Sequence, residues 1–281
     1  MSGALEGKRA LIVGGSSGIG LASAQAMLED GADVWIAGRD AEKLAAAAEG
    51  LATSAKQGGG RIESTLCDAM DAGQIRSTVT AIEAEGGLDI AVAVPGGGGY
   101  SQVLAYGDDE FSQQIDQNLR PAYLVLKYAG LAMVRGGGGS IVAVSSTAAI
   151  MVSPFLAAYC AAKAALDQLV RVAAEELGAQ SVRVNAVRPG LTRTAATGGL
   201  VETPALMDRF LAEQPLARGG EADDIGKTIR FLAGPESSWV TGQCITVDGG
   251  HTLRKFPDLS DVARQIAGDE NFERIKRGHL P

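Results

Sequence analysis

Residues 9–39, RALIVGGSSGIGLASAQAMLEDGADVWIAGR, decide the fold. A short apolar run ends in glycine, a segment with helical periodicity follows, and DVWIAGR reads as a second strand. At the first junction, VGGSSGIG, Gly14 permits a tight turn, while Gly18 and Gly20 let backbone and helix approach closely. The N–H groups freed there, together with the helix dipole, form a cradle for a pyrophosphate. Gly14, Ser16, Ser17, Gly18, Ile19 and Gly20 are therefore the candidate phosphate-binding residues.

Downstream the same alternation continues. DAEKLAAAAEGLATSAK is a helix with Asp40 as its N-cap, RIESTLCD a strand, AGQIRSTVTAIEAEGG a helix, and LDIAVAVPGGGG a strand and loop. A long helical segment follows over DDEFSQQIDQNLRPAYLVLKYAGLAMVRGG, with Pro121 as a bending point. GSIVAVSS, VRVNAVRPG and GQCITVDGG read as strands, and EADDIGKTIRFLAGP as a helix. Between the first two of these strands lies SPFLAAYCAAKAALDQLVRVAAEELG, a helix expected to open at Ser153 and Pro154. Apolar strands without clean alternation, each followed by a helix, predict a parallel sheet covered on both faces. The expected fold is an α/β, Rossmann-like, doubly wound sheet of seven strands forming a single domain over 1–250. A substrate lid is expected at about 191–215, and a helical C-terminal extension at 251–281.

Composition narrows the function. Nearly half of the 281 residues are apolar, and the 38 glycines fall between hydrophobic segments as turn punctuation. A net charge of −8 leaves no basic stripe for nucleic acid. The apolar region 141–166 is broken by Ser, Pro and Lys, which argues against a membrane span, and the amino terminus does not read as a signal peptide. Three scattered cysteines suggest a reducing compartment, so a cytoplasmic location is expected. With only His251 and His279, no histidine-rich metal site is expected.

The G-x-x-x-G-x-G spacing of the first turn, YCAAK at 159–163 and RPG at 188–190 together resemble the classical short-chain dehydrogenases/reductases over about residues 5–250. Thr241 and Gly242 match that family's carboxyl-terminal pattern. Two departures stand out. Val13 replaces the family's threonine before the first glycine, and AVPG at 93–96 replaces its N-N-A-G. The missing asparagine normally braces the central sheet, so that brace must be made differently. Gly96 is retained and could still serve the cofactor ribose, and GGGGY is expected to be a mobile loop at the substrate mouth.

Residues four apart share a helical face, so Tyr159 and Lys163 can project into one cleft. An ammonium nearby favours the phenolate and makes the phenol useful as proton donor and acceptor. The resemblance implies Ser146, thirteen positions before Tyr159, as the third catalytic residue, with Ser145 the weaker candidate. It also implies Asn118 as the anchor of a proton-relay water beneath the lysine. Tyr159 and Lys163 would also contact the cofactor. Pro189, Gly190, Thr192 and Thr194 would hold the nicotinamide, presenting the face that delivers the pro-S hydride. Asp68, with Ala69 beside it, would accept from the adenine amino group, or else cap the following turn. Gly38 stands where an acidic residue would read the ribose hydroxyls, and Arg39 offers a guanidinium fork, which favours NADP(H) over NAD(H).

The expected activity is therefore an NADP(H)-dependent interconversion of a secondary alcohol and a ketone, on a small, apolar or alicyclic carbonyl or alcohol substrate. Reduction of an activated C=C bond, and a non-catalytic NADP(H)-binding protein, are the rival readings. Leu200, Leu206, Met207, Phe210 and Leu211, with Ile150, Met151 and Phe155, either cover the substrate or pack the lid onto the body. Arg193 either meets an anionic substrate or is solvated. Beyond VDGG, residues Leu259, Val262, Ile266, Phe272 and Ile275 suggest a helical arm, with Ser260 as cap, that packs on a neighbouring subunit. The resemblance implies a homotetramer, or a dimer as the simpler alternative, formed partly through the helices carrying Asn118 and Tyr159.

Overall fold

The computed structural model describes residues 3–280. Strand β1 (Arg9–Val13) is buried along its apolar length, and its alternate side chains leave on opposite faces. Leu11 and Val13 enter one hydrophobic core, Ala10 and Ile12 the other. The strands that follow are β2 (Asp33–Gly38), β3 (Ile62–Leu66), β4 (Ile90–Ala93), β5 (Gly139–Val144), β6 (Val182–Pro189), the short β7 (Thr192–Arg193) and β8 (Gly220–Glu221), and β9 (Cys244–Val247). Seven of them form one sheet in the order β3-β2-β1-β4-β5-β6-β9, with every pairing parallel. The strand order reverses between β1 and β4, which opens a crevice at their carboxyl ends.

Ten α-helices are present among the described residues: α1 (Gly18–Glu29), α2 (Ala41–Gly58), α3 (Ala72–Ala84), α4 (Glu110–Gly136), α5 (Ala157–Leu177), α6 (Gly198–Val201), α7 (Pro204–Ala212), α8 (Ala222–Ala233), α9 (Ser260–Ala267) and α10 (Asp269–Lys276). Helices α1, α2 and α8 cover one face of the sheet, while α3, α4 and α5 cover the other. None of the ten is long and apolar enough to cross a membrane. Asp40 caps α2 as expected, accepting from the N–H groups of Glu42 and Lys43 at 3.1 Å each. Helix α4 runs unbroken through Pro121, whose ring nitrogen gives the Gln117 carbonyl no helical donor.

Two expectations are corrected. Helix α5 opens at Ala157, not at Ser153 and Pro154, because Phe155 takes a left-handed backbone (φ 68°) that no α-helix contains. Ser260 is the first residue of α9 rather than its cap, and its N–H donates to Asp258 Oδ1 at 2.9 Å. The C-terminal segment forms α9 and α10 and buries Leu259, Ala263, Phe272 and Ile275 within its own chain, while Ile266 stays exposed. The β7–β8 pair was missed because two-residue strands carry no periodicity.

Candidate active site

The phosphate turn is built as its glycines require. Gly14 has φ 85°, and a Cβ there would lie 3.1 Å from Val94 and 3.3 Å from Pro95, so the turn sits directly against the loop after β4. A Cβ on Gly20 would fall 2.1 Å from the Gly14 carbonyl oxygen, which only glycine tolerates. Ser17 precedes α1 with extended backbone and makes no side-chain cap, leaving first-turn N–H groups for a ligand. Gly18 faces Thr194, whose methyl would lie 3.1 Å from an added Cβ. The phosphate turn and the segment after Pro189 and Gly190 are thus brought together. Gly190 packs on Asp248, with 2.8 Å available for a Cβ, and Thr192 is buried with its hydroxyl donating to the Gly190 carbonyl at 3.0 Å. The Thr192 carbonyl accepts from the Thr197 hydroxyl at 2.6 Å, and the Thr194 hydroxyl lies 3.1 Å from that of Thr197. These residues fit a dinucleotide: a helix N-terminus without a side-chain cap, a glycine-rich turn and polar groups converge on one crevice.

At the end of β2, Gly38 stands beside Ser16, 3.5 Å from a notional Cβ. Arg39 is exposed and has no ion-pair partner among the described residues. Asp40 is committed to the α2 cap and lies 3.5 Å from Lys43. Asp68 takes the turn-capping arrangement: its Oδ1 accepts from the Met70 N–H at 3.0 Å, beside the buried Ala69.

Ser146, Tyr159 and Lys163 meet at the carboxyl end of β5. The Ser146 oxygen accepts from the Ala148 N–H at 3.2 Å, so its own proton is free to donate. Burial pushes the Tyr159 phenol up from its ordinary value, while a hydrogen bond with the Ser146 side chain pulls it down. Lys163 is buried and donates to the Val144 carbonyl at 2.8 Å, with Nζ 5.7 Å from the Tyr159 ring centroid. Loss of hydration brings its ammonium down to about 8, opposed by the charge of Asp167 one turn on. Asp167 in turn forms a buried ion pair with Arg188 at 2.7 Å, immediately before Pro189. Ser145 bonds weakly to the Lys163 carbonyl at 3.4 Å and is buried, which leaves Ser146 as the hydroxyl facing the cleft.

Asn118 ties the altered loop to α4, without a bond to the central sheet. Its Oδ1 accepts from the Gly97 N–H and its Nδ2 donates to the Gly97 carbonyl, both at 2.8 Å, with a further bond to the Gln114 carbonyl. A Cβ on Gly96 would lie 2.7 Å from Asn118 Oδ1 and 3.0 Å from Lys163 Nζ, and one on Gly98 would lie 3.1 Å from the Tyr159 ring. The glycine loop thus bonds to α4 at Gly97 and lies against Tyr159 and Lys163 of α5. Arg193 pairs with Glu221 at 3.3 Å. Of the lid residues, Met207 and Phe210 are buried against the body, and Phe210 stacks edge-on with His251 and Phe256. The buried Asp167–Arg188 pair beside Lys163 was not anticipated. The signal was present, since Asp167 lies four residues after Lys163, but its pairing across to β6 is a tertiary fact.

A dinucleotide crevice beside a Ser-Tyr-Lys cluster defines a nucleotide-dependent oxidoreductase. The chain belongs to the short-chain dehydrogenases/reductases: the family model described as enoyl-(acyl carrier protein) reductase matches residues 13–252. Among relatives, a 3-oxoacyl-(acyl-carrier-protein) reductase of Chlamydia muridarum is 33% identical, over 89% of this chain and 99% of its own. A 7alpha-hydroxysteroid dehydrogenase of Clostridium sardiniense is 36% identical, over 89% of this chain and 95% of its own. The solved structure of a short-chain type dehydrogenase/reductase from Mycobacterium ulcerans superimposes with a TM-score of 0.91 at 36% identity, covering 97% of this chain and 99% of that one. The protein is thus an oxidoreductase acting on alcohols or ketones, from a family that binds NAD(P).

Proposed function

We propose that this protein interconverts a secondary alcohol and a ketone, using NADP(H) in preference to NAD(H), on an apolar or alicyclic substrate. The observation that carries this reading is the meeting of the Ser146 and Tyr159 side chains beside the buried Lys163. The bound nicotinamide supplies or accepts the hydride at the reacting carbon. In reduction, Ser146 Oγ donates to the carbonyl oxygen and steadies the charge that grows on it. Tyr159 Oη delivers its proton to the same oxygen, and in oxidation takes it back. Burial raises the Tyr159 phenol on balance, and the charge of Lys163 would act against that by favouring the phenolate. Asn118 holds the loop that lies over both Tyr159 and Lys163.

NADP(H) is favoured by the small Gly38, the free guanidinium of Arg39 and the diversion of Asp40 into a helix cap. Gly14, Ser16, Ser17, Gly18, Ile19 and Gly20 would hold the pyrophosphate, Asp68 and Ala69 would lie beside the adenine, and Gly96, Pro189, Gly190, Thr192 and Thr194 would lie along the nicotinamide riboside. The assembly we favour is a homotetramer built partly on α4 and α5, where Tyr123, Leu131, Val134 and Val172 are exposed apolar residues.

Tyr159→Phe tests the proposal. Ketone reduction should fall by about a thousandfold or more, the scale of losing a proton donor. NADPH affinity, read by nicotinamide fluorescence, should stay within about threefold and exceed NADH affinity in the parent. Substantial residual turnover would refute the role of Tyr159, and tighter NADH binding would refute the cofactor choice.

A further inference from the structure

The C-terminal segment packs both on the lid helix α7 and on the loop that precedes α5. On the lid side, Arg209 of α7 donates through Nη1 and Nη2 to the Asp261 carboxylate of α9, at 2.7 Å each, and through Nη1 to the Asp258 carbonyl at 3.0 Å. Phe256 stacks edge-on against Phe210, also on α7. Before α5, the Phe272 ring of α10 lies 5.9 Å from that of Phe155, and its carbonyl accepts from Gln102 Nε2 at 3.2 Å. Phe155 precedes Tyr159 by four residues, and its left-handed backbone is held by a bond from the Ser101 N–H to its carbonyl at 2.8 Å. Phe272 is buried under the Arg264 and Lys276 side chains and so has no access to a substrate itself.

We infer that Phe272 is a positioning residue for substrate size: it seats the Phe155 loop and Gln102 from behind, and the Arg209–Asp261 clasp keeps it there. A strained aromatic stays in place only while its surroundings hold it. Here the holding surface is the chain's own tail, a cover supplied in cis. The tail is thus a specificity element: a large ring that fills the cleft to its outer wall depends on it, and a small ketone near Ser146 does not. This inference rests on the ketone-reductase reading for its catalytic readout.

The test compares cyclohexanone with trans-2-decalone as NADPH-dependent substrates of Phe272→Ala. For 2-decalone KM should rise about tenfold, while kcat and the KM for cyclohexanone stay within about twofold. Arg209→Glu, a surface change that spares the buried aromatic, should give the same selective loss, and adding Asp261→Arg should restore it. A KM that moves equally for both ketones, or for neither, overturns the proposal. Hydrogen exchange of residues 97–102 and 150–156 is read in parallel without turnover. Should the parent reduce neither ketone, the substrate reading fails. Exchange then decides the tail: faster exchange in Phe272→Ala supports it, and unchanged exchange overturns it.

Discussion

Burial makes Lys163 a poor holder of its own charge, and Asp167 is the group that opposes this from the next turn of the helix. Asp167→Asn keeps the shape and removes the charge. The lysine should then titrate below about 8, and the alkaline fall of kcat/KM should shift to lower pH. The sign follows from the charge that is lost: without the carboxylate, the ammonium gives up its proton sooner. The same change leaves Arg188 without its buried partner, at a cost of about 3–5 kcal/mol in denaturation. A pH profile that does not move would show that Asp167 only holds Arg188. At this scale the nearness of Tyr159 and Lys163 was legible, because a Tyr-x-x-x-Lys spacing fixes a shared helical face before any fold is known. Asn118 was legible as a site residue, but its pair of bonds to Gly97 joins positions 21 apart, beyond any local pattern.

The loop after β4 lies over α4 and α5 like a washer, and its glycines are the reason it can. Gly96 has φ 155°, and its missing side chain leaves room for Asn118 Oδ1 and Lys163 Nζ together. Gly96→Ala should displace both, lowering kcat/KM by tenfold or more and destabilising the fold by about 2 kcal/mol. Kinetics and thermal unfolding of this one variant check both effects, and wild-type values would mean that the loop does not constrain the pair. Helices α2, α4 and α8 were legible from helical patterning, α2 also from its Asp40 cap, since local propensity and burial agree there. The start of α5 was not. Ser153 and Pro154 are good opening residues by composition, but Phe155 is drawn into the left-handed region, a conformation costing on the order of 1–2 kcal/mol, by Ser101 and Phe272 far away in sequence.

Across the whole molecule, the doubly wound sheet places the phosphate turn after β1 and the braced loop after β4 on the two sides of one crevice, with the Ser146–Tyr159–Lys163 cluster alongside. That arrangement was legible because each strand-helix unit announces itself in hydrophobic pattern and the parallel topology follows from their alternation. The seat of the tail was not, since an amphipathic helix records only that one face is buried and not which surface covers it. In the proposed reaction this crevice brings hydride to a carbonyl carbon while Tyr159 protonates the oxygen. Cyclohex-2-enone offers both a carbonyl and an activated C=C bond to NADPH carrying deuterium at its transferable C4 position. Deuterium is expected on the carbinol carbon, C1, of the allylic alcohol product. Deuterium at C3 of a saturated ketone would contradict it.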